Sequence, residues 1–300
     1  MTPIDPRPRA VAAEADRALA DGVARPVGRE RARSRPAADS TPSWWTPRRR
    51  NVATGVGIVL AFWWLVTGLI VALQRNALTR TVAWLGVTVL AMYALHLVWL
   101  WRHEATAAAT RKSFLAGAVV WTWVCMGLYG GWIVGPGTPA AQNDGPTLGL
   151  AVDALRSLAW HEGLCLVMLA GLWWMLRGAA NRTAFWTVLT FWGVHEIAKL
   201  DIFLGVANPG ARFLPQHMQF LLTFYGPPVN SALLPVTTGL AAIGAVLLFF
   251  RAWLHAREPM VRQQSLLLGV LVLLAAVEYA LLGVKTDAPL WDLFLEWRGY

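Results

Sequence analysis

Charged side chains are scarce in this chain. Asp, Glu, Lys and Arg make up 14% of its 300 residues, whereas apolar residues make up 56%. A water-soluble domain usually carries about 25% charged residues, so this scarcity excludes an ordinary soluble fold. The apolar residues also run continuously instead of alternating, which excludes a transmembrane β-barrel. The sequence therefore predicts an all-α, polytopic membrane protein.

Seven apolar runs are long enough to cross the hydrocarbon core of a bilayer, which takes about 20 helical residues. The predicted fold is a bundle of about seven transmembrane helices over residues 52–73, 81–101, 113–134, 154–176, 183–204, 229–254 and 263–284. These helices divide the chain into three regions. A tail is predicted over 1–50, a transmembrane domain over 51–285 and a short extramembrane segment over 286–300.

The first fifty residues have few large apolar side chains before Trp44 and Trp45, and they are rich in Arg, Pro and Ala. Such a segment cannot bury a core, so a disordered tail is predicted. A secretory signal would place a short apolar stretch close behind the amino terminus, and this sequence has none there. The first helix is therefore expected to be a retained membrane anchor.

Cysteine is nearly absent as well. Cys125 and Cys165 are the two cysteines, and both lie inside predicted helices. This excludes a disulfide framework and a CxxC metal site, and it favours small buried packing residues. The HxxxH and ExxH spacings of helical di-metal oxidases are also missing. No catalytic constellation is recognised, so an enzyme is not predicted.

Basic residues are missing from the predicted loop at 135–149 and are few in the other loops on its side of the membrane. They concentrate on the opposite side, at Arg48, Arg49, Arg50, Arg102, Arg111, Lys112, Arg177, Arg182, Arg251, Arg257 and Arg262. The positive-inside rule then predicts a cytoplasmic amino terminus and a periplasmic carboxyl terminus. Topology and anionic lipid headgroups explain the net charge of +9, so nucleic-acid binding is not predicted.

Two His-Glu pairs interrupt the apolar spans, His161 with Glu162 and His195 with Glu196. A charge at the centre of a membrane helix costs about 2.5–3.5 kcal/mol, so these residues need partners or a function. Alternating helix directions put both pairs at a similar depth in the outer half of the bundle, with His161 about two turns into its span. The predicted polar cluster comprises His161, Glu162, His195, Glu196, Lys199 and Glu278, with Asp201 nearer the surface.

Three roles remain open for this cluster. The imidazoles of His161 and His195 could ligate a metal or a chlorin, with Glu162 and Glu196 orienting them. Paired carboxylates and histidines could also move protons or ions. In the third, purely structural role, Lys199 is neutralised by Glu196 or Asp201 and the histidines hydrogen-bond between helices.

One stretch of the sequence matches a known pattern. Residues 198–206 read AKLDIFLGV, and Asn208, Phe213, Leu214, Pro215 and His217 follow. This order is similar to the SAKLN-FLGV-N and FLP-H elements of the PuhE family, proteins assigned to the assembly of bacterial photosynthetic complexes. Over residues 52–251 further matches occur at Trp63, Trp64, Thr67, Gly68, Trp121, Trp123, Gly131, Gly135, Pro136, His161, Glu162, Asn181, Asn230, Leu234 and Pro235. The chain departs from the pattern at Val124, Cys125, His195, Ile197 and Asp201, which is typical of a distant member.

The resemblance implies a bacterial inner-membrane assembly factor for the photosynthetic reaction centre and its light-harvesting complex. It implies those polypeptides, membrane lipids and pigment-biosynthesis proteins as partners, and a role in binding or supplying bacteriochlorophyll or a related tetrapyrrole. The candidate pigment contacts are His161, Glu162, His195, Glu196 and Lys199. Structural or partner-binding roles are expected for Asp201, Asn208, Phe213, Pro215, His217 and Glu278. The alternatives are a small-molecule or ion transporter or channel, and a permanent structural subunit of the photosynthetic complex.

Overall fold

The structure, a computed structural model, describes residues 47–137, 145–286 and 289–299. These parts contain helices and loops but no β-strand, which confirms the predicted all-α membrane fold. The described residues form nine α-helices: α1 (Pro47–Ala72), α2 (Ala77–Trp101), α3 (Ala107–Tyr129), α4 (Leu148–Ser157), α5 (Ala159–Met175), α6 (Thr183–Leu204), α7 (Leu233–Leu254), α8 (Pro259–Leu282) and α9 (Asp292–Arg298). Most of the predicted tail, residues 1–46, lies outside the described residues.

Among the described helices, five are long and apolar enough to cross a membrane: α1, α2, α3, α7 and α8. Helices α4 and α5 qualify only as a pair, and they are bent by 67° at the break between them. The count is therefore five, or six with the bent pair, where the sequence predicted seven. Helix α6 falls outside this count: it has 22 residues and the predicted bounds, but Glu196, Lys199 and Asp201 make it more polar than the five spans.

The fourth predicted span, 154–176, is broken at Leu158. This residue separates α4 from α5 with φ −114° and ψ 7°. The backbone N–H of Gly135 donates to the carbonyl oxygen of Ser157 at 2.8 Å, so part of the hydrogen bonding at the break comes from outside the helices. Helix α4 exposes Leu148 and Leu155. An amphipathic helix of this kind suits a membrane surface, whereas α5 continues into the bundle.

The third predicted span, 113–134, is also displaced. Helix α3 begins earlier, at Ala107, because the hydroxyl of Thr106 accepts a hydrogen bond from the backbone N–H of Ala109 at 3.1 Å and caps the helix. It ends at Tyr129, where Gly130 and Gly131 follow. Gly131 has φ 81°, a left-handed conformation that reverses the chain at little cost only for glycine.

Helix α3 is the central helix of the bundle. In its apolar stretch 67% of the residues are buried, against 17% in α2 and 17% in α7. Small side chains allow this close packing: a Cβ on Gly117 would lie 2.8 Å from the carbonyl oxygen of Ala184 on α6. The outer helices α2 and α7 instead present large apolar side chains to the surroundings, among them Val82, Leu85, Val89, Leu240, Val246 and Leu247.

Polar contacts tie the helix ends together at both ends of the bundle. At one end the Asn181 backbone N–H donates to the Arg102 carbonyl at 2.8 Å, and its side-chain amide donates to Ser113 at 3.0 Å. At the other end Asn208 donates to the Leu282 carbonyl and Asn230 donates to the Gly283 carbonyl, both at 2.8 Å. These contacts join the end of α2 to the starts of α3 and α6, and the end of α6 to the end of α8. Helix α6 therefore begins at the end of the bundle where α2 finishes, and it finishes at the end where α8 does.

The segment predicted at 286–300 contains α9, which packs against the last part of α1. The ring of Trp291 meets Trp63 edge-on with ring centroids 4.9 Å apart, and Phe294 fills the space left by Gly68. Arg212, in the loop after α6, pairs with Asp292 at 3.4 Å. The carboxyl-terminal helix thus lies at the end of the bundle where α1 and α6 finish.

His217 connects three elements at this same end. Its Nε2 donates to the carbonyl oxygen of Tyr129 at 2.8 Å, and its Nδ1 accepts from the Arg80 guanidinium at 2.6 Å. Both contacts require a neutral imidazole, because protonation would turn Nδ1 into a donor facing a cation. Burial lowers the pKa of His217; the hydrogen bond to the Tyr129 carbonyl acts in the opposite direction, and the nearby Arg80 charge adds a smaller lowering effect.

We expect the protein to lose stability as the pH falls below about 6.5, the ordinary histidine value. In that range unfolded His217 takes up a proton that the folded site resists, so the unfolded state binds more protons and unfolding becomes easier. Thermal unfolding in detergent between pH 7.5 and 5.5 measures this loss. His217→Gln keeps an amide donor for Tyr129 and should flatten the dependence, whereas His255→Gln, at the exposed end of α7, should not. Identical profiles for wild type and His217→Gln would contradict the assignment.

Candidate functional site

The break at Leu158 determines where the first His-Glu pair lies. Because α5 begins at Ala159, His161 and Glu162 stand in its first turn and not two turns inside a continuous span, as the sequence predicted. Helix α6 is continuous across the region and carries His195, Glu196 and Lys199. The structure brings these five residues together between α3, α5 and α6.

An ion triad links α5 to α6. Lys199 Nζ contacts Glu162 Oε1 on α5, and it also lies 2.6 Å from Glu196 Oε1, three residues earlier on its own helix. The indole of Trp192 donates to the other oxygen of Glu162 at 3.2 Å. The side chains are largely buried, with exposed fractions of 23% for Lys199, 14% for Glu162 and 34% for Glu196. Two carboxylates around one ammonium leave one net negative charge.

Next to the triad is a cluster of packed rings. The centroid of His195 lies 6.0 Å from that of His161 and 5.7 Å from that of Trp121. Trp121 also stacks on Phe191 at 5.9 Å. His161 is fully buried, and its Nδ1 has no hydrogen-bond partner among the described residues.

Cys165 completes this site, one turn after His161 on the same face of α5. Its sulfur lies 3.8 Å from His161 Nε2. His161, Glu162 and Cys165 each offer one ligand atom, and these three atoms lie within 4.8 Å of one another. From the sequence, Cys165 was expected to be a small buried packing residue. The His161–Cys165 spacing of four residues was the signal that could have placed the thiol beside the imidazole.

Asp201 and Glu278 lie away from the triad. Asp201, expected nearer the surface, is fully buried, and one of its carboxylate oxygens accepts from the Thr237 hydroxyl of α7 at 2.8 Å. Its other oxygen has no partner among the described residues. Glu278 is exposed on α8, and its carboxyl group is within hydrogen-bonding reach of Trp63. Neither residue contacts Lys199 in the described structure.

The remaining candidate residues lie around the end of the bundle near α9. Asn208 donates its side-chain amide to the carbonyl oxygens of Val284 at 3.2 Å and Thr286 at 3.1 Å. The carbonyl of Phe213 accepts from Arg298 at 2.7 Å. Pro215 is buried between two short 3-10 helices, Ala211–Phe213 and Gln216–Phe224, the second of which contains His217. These contacts join loops to helix ends.

Comparison with known proteins places the chain in a family. A family model described as "Protein of unknown function (DUF3623)" matches residues 50–298, nearly the whole described structure. The chain belongs to this family. A relative from Rhodobacter capsulatus, named "Uncharacterized 30.4 kDa protein in puhA 5'region", is 26% identical over 196 residues, which are 64% of this chain and 70% of the relative. No solved structure matches the chain.

Proposed function

We propose that this member of the DUF3623 family is a PuhE-type assembly factor for the bacterial photosynthetic reaction centre and its light-harvesting complex. The Rhodobacter capsulatus relative is the main support for the proposal, because its name places it in the puhA 5' region. A second support is the resemblance to the PuhE family elements. It covers residues 198–206, Asn208 and the Phe213–His217 pattern. The proposed partners are the reaction-centre and antenna polypeptides, membrane lipids and pigment-biosynthesis proteins.

The helix surfaces agree with such a role. Helix α5 exposes Trp160, Trp173 and Trp174, and α2 and α7 are mostly unburied within the described structure. Large aromatic side chains of this kind are enriched where membrane helices meet lipid or other helices. A factor that holds photosynthetic subunits during assembly needs lateral apolar faces on which their transmembrane helices can pack.

A pulse-chase purification tests the assembly role. In a bacterium that carries this gene, a tagged copy extracted in mild detergent should recover newly made reaction-centre and antenna polypeptides and release them during the chase. Deletion of the gene should lower the amount of assembled complex. Stoichiometric retention in the mature complex would favour a permanent subunit. Substrate-dependent flux in liposomes without any associated polypeptide would favour a transporter.

The chlorin contact remains a prediction. His161 and His195 are of the type that ligates magnesium chlorins, but their rings pack on each other and on Trp121, so a macrocycle can reach them only if these rings separate. We expect any tetrapyrrole bound by the purified protein to change its absorption bands in His161→Ala and not in His255→Ala. Unchanged spectra in both His161→Ala and His195→Ala would remove the histidine contact, and assembly would then depend on protein contacts.

For the orientation in the inner membrane, we propose a cytoplasmic amino terminus and a periplasmic carboxyl terminus. The basic loops lie on the side of the Asn181 contacts, and α9 packs at the opposite end of the bundle. A phosphatase reporter fused after Tyr300 should be active in the periplasm, whereas one fused before residue 47 should be inactive. An inactive carboxyl-terminal fusion would mean that the bent α4–α5 pair or α6 does not cross the membrane.

A further inference from the structure

We propose that His161, Glu162 and Cys165 bind a single transition-metal ion of the zinc class. The proposal goes beyond the assembly function and does not depend on it. The three residues supply one imidazole nitrogen, one carboxylate oxygen and one sulfur, all within 4.8 Å of one another. Zinc and its neighbours in the first transition series accept this mixed donor set, whereas magnesium and calcium prefer oxygen alone.

The hydrogen bonding of the two buried ligands points to such an ion. His161 is fully buried and Cys165 is 2% exposed, yet Nδ1 of His161 has no partner among the described residues. Its Nε2 is paired only with the Cys165 sulfur, at 3.8 Å, which is a weak contact. A buried imidazole without a strong hydrogen-bond partner is less stable than a satisfied one. A metal ion between Nε2 of His161 and the sulfur of Cys165 would replace this weak contact by coordination of both atoms.

The carboxylate of Glu162 is held in place by Lys199 and Trp192, and its oxygens can still bind a metal ion. One of its oxygens contacts Lys199 and the other accepts from Trp192 at 3.2 Å. Each carboxylate oxygen has about two acceptor sites, so either can also bind a cation. Ligating carboxylates are commonly fixed by hydrogen bonds of this type, which orient the ligand before the metal arrives.

The charges of the site balance when a divalent ion binds. With both carboxyl groups ionised and the thiol protonated, the metal-free group of Glu162, Glu196, Lys199 and Cys165 carries one net negative charge. Binding adds two positive charges, and the thiol releases its proton to water, which adds one negative charge. The sum is zero. A neutral cluster is the favourable state for groups this deeply buried in a membrane bundle.

A metal titration of the full chain in detergent tests the site. Metal-free protein is titrated with Zn²⁺ against a chromophoric chelator, and Co²⁺ is used to observe sulfur-to-cobalt charge-transfer absorption. We expect one equivalent to bind, with that absorption present, and an affinity loss of about 10-fold or more in His161→Asn and in Cys165→Ser. Cys125→Ser, a buried cysteine of α3, and His255→Asn, an exposed histidine, are the matched controls and should bind as wild type.

Several results would overturn the site. They are binding well below one equivalent, cobalt binding without sulfur absorption, and an equal loss of affinity in Cys125→Ser. Circular dichroism of each variant checks that it is folded, and Cys165→Ala provides a second, smaller substitution if Cys165→Ser is not. Metal binding without any effect of gene deletion on photosynthetic complexes would leave this site standing and reject the proposed function. Loss of assembled complex on gene deletion, together with no metal binding, would reject this site and leave the proposed function standing.

Discussion

Replacing Lys199 with Met is expected to lower the thermal unfolding midpoint in detergent by roughly 6–12 °C, from a loss of about 3 kcal/mol. The ammonium of Lys199 is the shared partner of Glu162 and Glu196. Without it two adjacent carboxylates remain in a largely buried site, with neither a counter-charge nor full hydration. Removing one member of a buried ion pair is destabilising for this reason, even where the intact pair adds little.

A rescue variant separates this cause from simple loss of packing. In Lys199→Met combined with Glu162→Gln and Glu196→Gln, no charge is left without a partner, and much of the lost stability should return. Lys285→Met, in the exposed loop after α8, is the matched lysine control and should change the midpoint little. Equal damage in the single and the triple variant would show that the charges of the triad are not what holds α5 to α6.

The helices themselves follow from local composition, and for that reason most of them could be predicted. Long apolar runs place α1, α2, α7 and α8 close to where they lie, and α6 has the predicted bounds. The break at Leu158 could not be found in this way, because neither Arg156 and Ser157 before it nor Ala159 and Trp160 after it is a helix-breaking residue. It depends on a tertiary contact, the bond from Gly135 to Ser157, that no local pattern contains.

In the candidate site, contacts within one helix could be predicted from the sequence, whereas contacts between helices could not. Residues close in sequence were recognised, so the Glu196 contact of Lys199, at a spacing of three, was among the expected partners. Its contact with Glu162 crosses from α6 to α5 and depends on how the helices are rotated, which one sequence does not reveal. The same limit applies to Asp201, whose partner Thr237 lies on α7, and to Glu278, which lies beside Trp63 instead of Lys199.

The break and the site are physically coupled, because His161 stands only two residues after Ala159. Gly135 packs directly on this turn. A Cβ at position 135 would overlap the carbonyl oxygen of Arg156 and lie 2.7 Å from the backbone nitrogen of Ala159. Both atoms belong to the backbone, so no side-chain rotation can relieve the overlap. The segment after α3 therefore helps determine where α5 begins and where His161, Glu162 and Cys165 lie.

Gly135→Ala is accordingly expected to destabilise the protein by about 3 kcal/mol, the upper end for overpacking, and to lower the unfolding midpoint by roughly 6–12 °C. It should also expose Cys165, which a thiol reagent would label faster in a Cys125→Ser background. Gly163→Ala is the matched control on α5, where an added Cβ meets no atom within 4 Å. That change should stabilise the helix by up to about 1 kcal/mol, because alanine loses less conformational entropy than glycine on folding. If Gly135→Ala unfolds and labels like Gly163→Ala, the contact at the break does not fix the start of α5, and the position of the site must come from α6 alone.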